Sequence, residues 1–206
     1  MYKRQNLDIK QEIKTIRQSE NSAIVLVPDA RVTESNYVHS FNIAKEIIQE
    51  NKGQNWVFAD SSLYSNELFS ENNQDLPFEI FQKLIITVDW NRFDKDQNKP
   101  KFPDENRQIW GGISDRTALS YDAVQVLIEG IRGSHKPTKE EIQKRLAASN
   151  FIVDGVTGPI KFQKGTGDRE EKPLVLLRVC KRRNDNSLHF VPLDYSGTEV
   201  NCPMTN

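Results

Sequence analysis

Ala23-Ile24-Val25-Leu26-Val27, stopped by Pro28-Asp29, is the stretch that decides the fold. Five apolar residues without alternation suit a strand buried on both faces, as strands of parallel sheets are. Upstream, Ile9, Ile13 and Ile16 recur at helical spacing. Downstream, Val38, Phe41, Ala44 and Ile48 do the same, with a stop expected at Lys52-Gly53, where glycine supplies a left-handed cap. Trp56-Val57-Phe58-Ala59 is a second strand, Asn66 to Phe69 a weaker helix, and Leu84-Ile85-Ile86-Thr87-Val88 a third strand. Helix alternating with strand predicts an α/β fold: an open, mostly parallel sheet with flanking helices.

The pattern breaks at residues 94–106, rich in Lys, Asp, Asn and Pro, which reads as a linker or hinge excursion. Beyond it, Ser114 or Asp115 can cap a long helix whose inner face would be Tyr121, Val124, Leu127, Ile128 and Ile131. A second helix starts at Thr138, with Glu141 completing a capping box, and shows Ile142, Leu146 and Ala147 on its apolar side. The last third reads as β. Gly155 and Gly158 flank a turn, Gly165-Thr166-Gly167-Asp168 is hairpin chemistry, and Leu174 to Val179 and Leu188 to Val191 are buried strands. Residues after Asp194 read as a frayed tail.

The 206 residues carry 28 basic and 29 acidic side chains, a formal net charge of -1. That balance provides no electrostatic footprint for nucleic acid, and Lys181-Arg182-Arg183 reads as a solvated turn. No run approaches the ~20 apolar residues of a membrane span, and Met1 to Ile9 lacks the apolar core of a signal peptide. Cys180 reads as a small core residue and Cys202 as part of a polar tail. Two cysteines make neither a disulfide framework nor a zinc site, and the sequence leaves a bridge between them open.

The search for catalytic chemistry is mostly negative. His39, His135 and His189 have no ligand spacing, so no metal is expected. No nucleophile elbow, phosphate loop or dinucleotide fingerprint follows a strand, so no cofactor is expected either. Glu140-Glu141 opens a helix, where carboxylates favour the dipole. The polar residues fall instead at strand ends, where open α/β sheets bind ligands. These are Asp29-Ala30, Asp60-Ser61-Ser62 and Asp89-Trp90, a set suited to an ammonium or a polyhydroxylated solute. The plainer reading of each Asp or Ser is a helix cap or a turn.

Trp110-Gly111-Gly112-Ile113-Ser114-Asp115-Arg116-Thr117-Ala118-Leu119-Ser120-Tyr121-Asp122-Ala123 resembles the Arg-Thr-Ala-x-x-Tyr-Asp-Ala segment of type I periplasmic solute-binding proteins. That family includes the leucine/isoleucine/valine-binding proteins of ABC transporters and the related receptor ligand-binding regions. Other pieces come in the family's order: Ala23 to Asp29, the Asp60 to Ser65 loop, Ile85 to Trp90 with Asp89 where proline is usual, Asp154 to Phe162, and Gly167-Asp168-Arg169. The resemblance covers residues from about 7 to 193.

It implies the later part of a two-lobed fold with a late β-hairpin. By it, residues 1–93 form a second-lobe segment, 94–106 a linker, 107–157 returning first-lobe helices, 158–194 a β segment of the second lobe, and 195–206 a tail. It implies a small solute, amino-acid-like, held by hinge closure, with Asp29-Ala30 and Asp60-Ser61 lining the cleft and Trp90 near a hinge. Matching Leu63-Tyr64 to the family loop puts Ser61 where an ammonium-binding acid often stands. Tyr121 and Asp122 match the motif but are expected to pack or cap. The implied partners are the missing N-terminal lobe and an ABC permease or signalling domain, in a periplasmic or extracytoplasmic setting. Weak or no amino-acid binding is expected of this chain alone. The alternatives are a sensor or oligomerisation module that no longer binds solute, in which an exposed apolar face drives homodimerisation, and a doubly wound enzyme using Asp60 or Asp89 as base.

Overall fold

The structure, a computed structural model, describes residues 8–18, 22–28, 34–71, 74–91, 115–133, 135–170, 174–195, 197–198 and 200–202. In chain order the elements are α1 (Ile9–Arg17), β1 (Ala23–Leu26), α2 (Glu34–Asn51), β2 (Trp56–Ala59), two 3-10 turns (Ser61–Leu63, Asn66–Phe69), β3 (Ser70–Glu71) and β4 (Gln74–Asp75). A third 3-10 turn (Phe78–Phe81) leads into β5 (Leu84–Val88). Then follow α3 (Asp115–Ile131), α4 (Lys139–Leu146), β6 (Val153–Gly155), β7 (Gly158–Ile160), β8 (Val175–Arg182), β9 (Leu188–Pro192) and β10 (Val200–Asn201). The chain forms two compact units, Met1–Val88 with Val175–Asn206, and Asp89–Leu174.

In the first unit, β1, β2 and β5 are parallel neighbours, in register through Leu26, Ala59 and Ile86. β8 joins β5 antiparallel and forms the late hairpin with β9. Lys181 pairs with Leu188 on one side and Asn201 on the other, so β10 continues the edge that β5 occupies. Ile24, Leu26, Val57, Ala59, Leu84 and Ile86 bury one sheet face under Ile13 of α1 and Phe41, Ala44 and Ile48 of α2. Leu63, Leu68, Phe69 and Phe81 of the 3-10 turns complete this core. α2 stops where expected: Lys52 and Gly53 both have positive φ, and a Cβ on Gly53 would sit 2.2 Å from the Glu79 carbonyl oxygen.

Burial corrects the reading of several apolar runs. β1 is buried on one face only: Ile24 and Leu26 point inward while Val25 and Val27 are exposed. Central β5, with the same kind of run, is buried at Leu84, Ile85, Ile86 and Val88. The two strands differ in position: among the described residues β1 pairs with one strand, β2, whereas β5 lies between β2 and β8. Leu174 and Leu176 are likewise exposed, and Val38 of α2 faces solvent.

The last residues are not frayed throughout. β10 pairs with β8, Val200 is buried, and a disulfide joins Cys202 to Cys180, whose Cα atoms lie 4.4 Å apart.

The second unit departs further from expectation. The buried side of α3 is Asp115, Ala118, Asp122, Val126 and Gly130, whereas Val124, Leu127, Ile128 and Ile131 are exposed. What engages the inner stripe explains this. The β6–β7 hairpin supplies backbone donors to Asp122. At Gly130 a Cβ would meet Leu146 and Ile142 of α4 within 3.4 Å, so a small residue lets the helices approach. α4 has the expected capping box between Thr138 and Glu141.

Candidate functional site

The carboxyl ends of β1, β2 and β5 lie side by side, because the register Leu26–Ala59–Ile86 brings the next residues to one rim. At β2 the chain turns at once into the Ser61–Leu63 3-10 turn. Asp60 caps it: its Oδ1 accepts the Ser62 backbone N–H at 3.0 Å and also the Ser62 hydroxyl. Ser62 is buried, while Asp60 and Ser61 are half-buried at the rim. The cap therefore engages one carboxylate oxygen of Asp60 within the turn that contains Ser61. From β5, the Thr87 hydroxyl donates to the Ala59 carbonyl at 3.4 Å and ties the two strand ends together.

The other sequence candidates fall differently. Asp29 and Ala30 lie outside the described residues. Asp89 and Trp90 belong to the second unit. Asp89 is half-buried, and Trp90 is buried in a cluster with Ala118, Val156 and Tyr121, a packing position. The structure thus brings Asp60, Ser61 and Ser62 together with Thr87, a residue the sequence reading passed over. Its signal was a hydroxyl breaking the apolar run Leu84 to Val88.

Among the described residues, a buried polar network lies in the second unit. Asp122 accepts the backbone N–H groups of Val156 at 2.7 Å and Thr157 at 2.9 Å, and the Thr157 hydroxyl as well. Arg169 donates through Nη1 to the Thr157 hydroxyl oxygen at 2.7 Å, and through Nη2 to the Gly158 and Pro159 carbonyls at 3.3 and 3.2 Å. Asp122 was expected to pack or cap its own helix; it caps the β6–β7 turn instead. Among the described residues, no group of three or more His, Cys, Asp or Glu could hold a metal ion. No described helix is long and apolar enough to cross a membrane.

This fold has counterparts among solved structures. A protein described as a branched-chain amino acid ABC transporter from Rhodospirillum rubrum superposes with a TM-score of 0.53 at 15% identity, over 88% of this chain and 64% of that one. An ABC transporter substrate-binding protein from Desulfitobacterium hafniense gives 0.50 at 14% identity, over 89% and 64%. No protein-family model matches the sequence, and no curated protein matches it. The chain thus shares the α/β fold of these two proteins. This chain spans 64% of the length of either neighbour, a partial version of that architecture.

Proposed function

We propose that this chain is part of a non-enzymatic solute-binding module of the ABC-transporter or receptor type. Its solute is small and polar, an amino acid in the first instance. The observation that carries the reading is the rim at the ends of β1, β2 and β5, where the capped turn holds half-buried Asp60 and Ser61 on a fold shared with an ABC transporter substrate-binding protein. A preorganised turn holding a carboxylate and a hydroxyl suits an ammonium or hydroxyl-bearing ligand. In this reading Asp29, Ala30, Asp60, Ser61 and Ser62 belong to one wall, with Asp89 and Trp90 at the hinge. Polypeptide equivalent to the neighbours' unmatched third supplies the rest of the first lobe, and binding favours a closed arrangement of the lobes. A permease or signalling domain is the downstream partner. The Cys180–Cys202 disulfide supports an extracytoplasmic setting, because such bonds persist where the medium is oxidising.

With part of the cleft outside these 206 residues, affinity for the chain alone is expected at millimolar strength or weaker, about 4 kcal/mol of binding or less. Calorimetry and melting shifts across an amino-acid and polyol panel test this. A weak shift abolished by Asp60→Ala and Ser61→Ala supports the reading, and tight binding to this chain overturns its partial character. A panel without any response favours a second reading, a sensor or oligomerisation module, for which the exposed apolar side chains on β1 and α3 speak.

A further inference from the structure

β1 ends the sheet of the first unit on one side. Among the described residues it pairs with β2 alone, in unbroken register from Ala23 to Leu26. Exposure along one row of the sheet follows from that position. Val25 lies opposite Phe58 and Phe58 opposite Ile85, and the three are 70, 43 and 6% exposed. The centre of the row is covered and its end is open. Val27, just past β1, is 74% exposed, and it and Val25 are the two most exposed large apolar side chains among the described residues. In a parallel ladder, alternate residues of a strand bond to each side. β1 therefore turns the N–H and C=O groups of every second residue toward its outer edge.

Such an edge is ordinarily closed by a charged side chain, a bulge or a proline inside the strand. Ala23-Ile24-Val25-Leu26-Val27 has none of these, and its first proline is Pro28. The run is also self-complementary. Turned antiparallel against itself with Val25 opposite Val25, it sets Ile24 against Leu26 and Ala23 against Val27, so every rung is apolar. Residues opposite each other share a face. Ile24 and Leu26, buried on the helix side of the sheet, therefore stay on that side in both copies. A slip of one residue would put the helix layers on opposite sides. A slip that keeps the faces sets Ser22 against Leu26 or Pro28 against Ile24, which brings in a polar side chain or removes a donor.

We propose that two copies of this chain join edge to edge through β1, antiparallel about a two-fold axis that passes between the two Val25 residues, perpendicular to the sheet. The contact is made by the first unit alone and is independent of any solute. A net charge of -1 opposes association only weakly. The same edge serves both copies, so the contact closes at two. Five rungs make a small interface, and the dimer is accordingly weak, with a Kd on the order of 100 µM.

Sedimentation of the 206-residue chain from about 10 µM to 1 mM brackets such a dimer. The expected result is reversible pairing, weakened at least tenfold by Val25→Lys with unchanged circular dichroism, because like charges then stand opposite each other. Mixing Val25→Lys with Val25→Glu restores it. Register is read by cross-linking. Cys180 and Cys202 are bonded to each other, so an introduced cysteine is the one free thiol. A bis-thiol reagent that spans adjacent strands should couple Val25→Cys to itself, and Ala23→Cys to Val27→Cys. It should not couple Val27→Cys to itself, since those residues lie about 13 Å apart along the strands. A monomer throughout overturns the proposal and leaves the edge to a different strand. Indifference to Val25→Lys, failure of the opposite charges to pair, or coupling through residue 27 in place of 25 overturns it equally. Should Val25→Lys misfold, the three cysteine variants, all at exposed positions, carry the test.

Discussion

The Asp122 carboxylate on α3 holds Thr157 by its backbone N–H at 2.9 Å and by its hydroxyl, joining helix and hairpin across 35 residues of sequence. Both residues are buried, so each donor depends on that carboxylate in place of water. Asp122→Ala would strand the Val156 and Thr157 donors, and a loss of about 3 kcal/mol is expected from leaving buried groups unpaired. Urea unfolding followed by tryptophan fluorescence measures it. Asp122→Asn, which keeps an acceptor, should lose less. Equal losses would show that hairpin docking does not depend on the acceptor.

Gly53 tests the end of α2. Its φ is +69°, and a Cβ would meet the Glu79 carbonyl oxygen at 2.2 Å, a backbone atom with no rotamer to escape through. Gly53→Ala should destabilise by more than about 1 kcal/mol, since left-handed strain and a backbone clash add. Gly165→Ala has comparable φ strain but nothing within 4 Å, so it isolates the strain contribution. Thermal unfolding of the two variants should rank Gly53→Ala as the worse.

The Cys180–Cys202 bond closes a separation of 22 residues. Chain-entropy arguments put its contribution at about 3 kcal/mol. Cys202→Ser, or reduction by a dithiol, should lower the unfolding midpoint accordingly. Amide exchange should rise first at Val200 and Asn201, the strand the bond holds against Arg182 and Lys181. Uniform exchange across β8 instead would mean that the bond supports the whole hairpin.

Asp185 gives a pH signature at the β8–β9 turn. Hydrogen bonds from the Ser187 hydroxyl at 2.6 Å and backbone N–H at 3.0 Å, with Arg182 and His189 adding smaller attraction, hold its carboxyl below its ordinary value of 3.8. A lowered folded value means the turn gains from this carboxylate above the unfolded value and loses that gain as pH falls through the folded one. Because the group is exposed, the effect on global stability is small. Carbon-detected NMR titration should find Asp185 below 3.8, and Ser187→Ala should bring it back up.

Much of the fold is legible from local rules. The periodicity of Ile9, Ile13 and Ile16, the stop at Lys52-Gly53, the capping box at Thr138 and Glu141, and the glycines around Val156-Thr157 each depend on a few neighbouring residues. The Asp60 cap belongs with them, since an acid after a strand and two residues before Ser62 meets its partner within one turn. Thr87 was harder, because its partner, Ala59, is 28 residues away on another strand.

The sequence by itself determined most of the longer helices and strands, since backbone propensity, capping and turn chemistry act over a few residues, but not the short strands β3, β4 and β10, which depend on a pairing partner. Only the tertiary structure decided which sides of those elements are covered. Val25 and Ile85 sit in equally apolar runs, yet one is exposed at the sheet edge and the other buried at its centre. On α3 the apolar stripe is exposed while Asp122 and Gly130 are buried. Burial follows from which neighbour arrives, and that neighbour is a hairpin with donors to satisfy and a helix that needs a glycine to approach. Ala23 to Leu26 forms the strand that the run first suggested, buried at Ile24 and Leu26 and exposed at Val25.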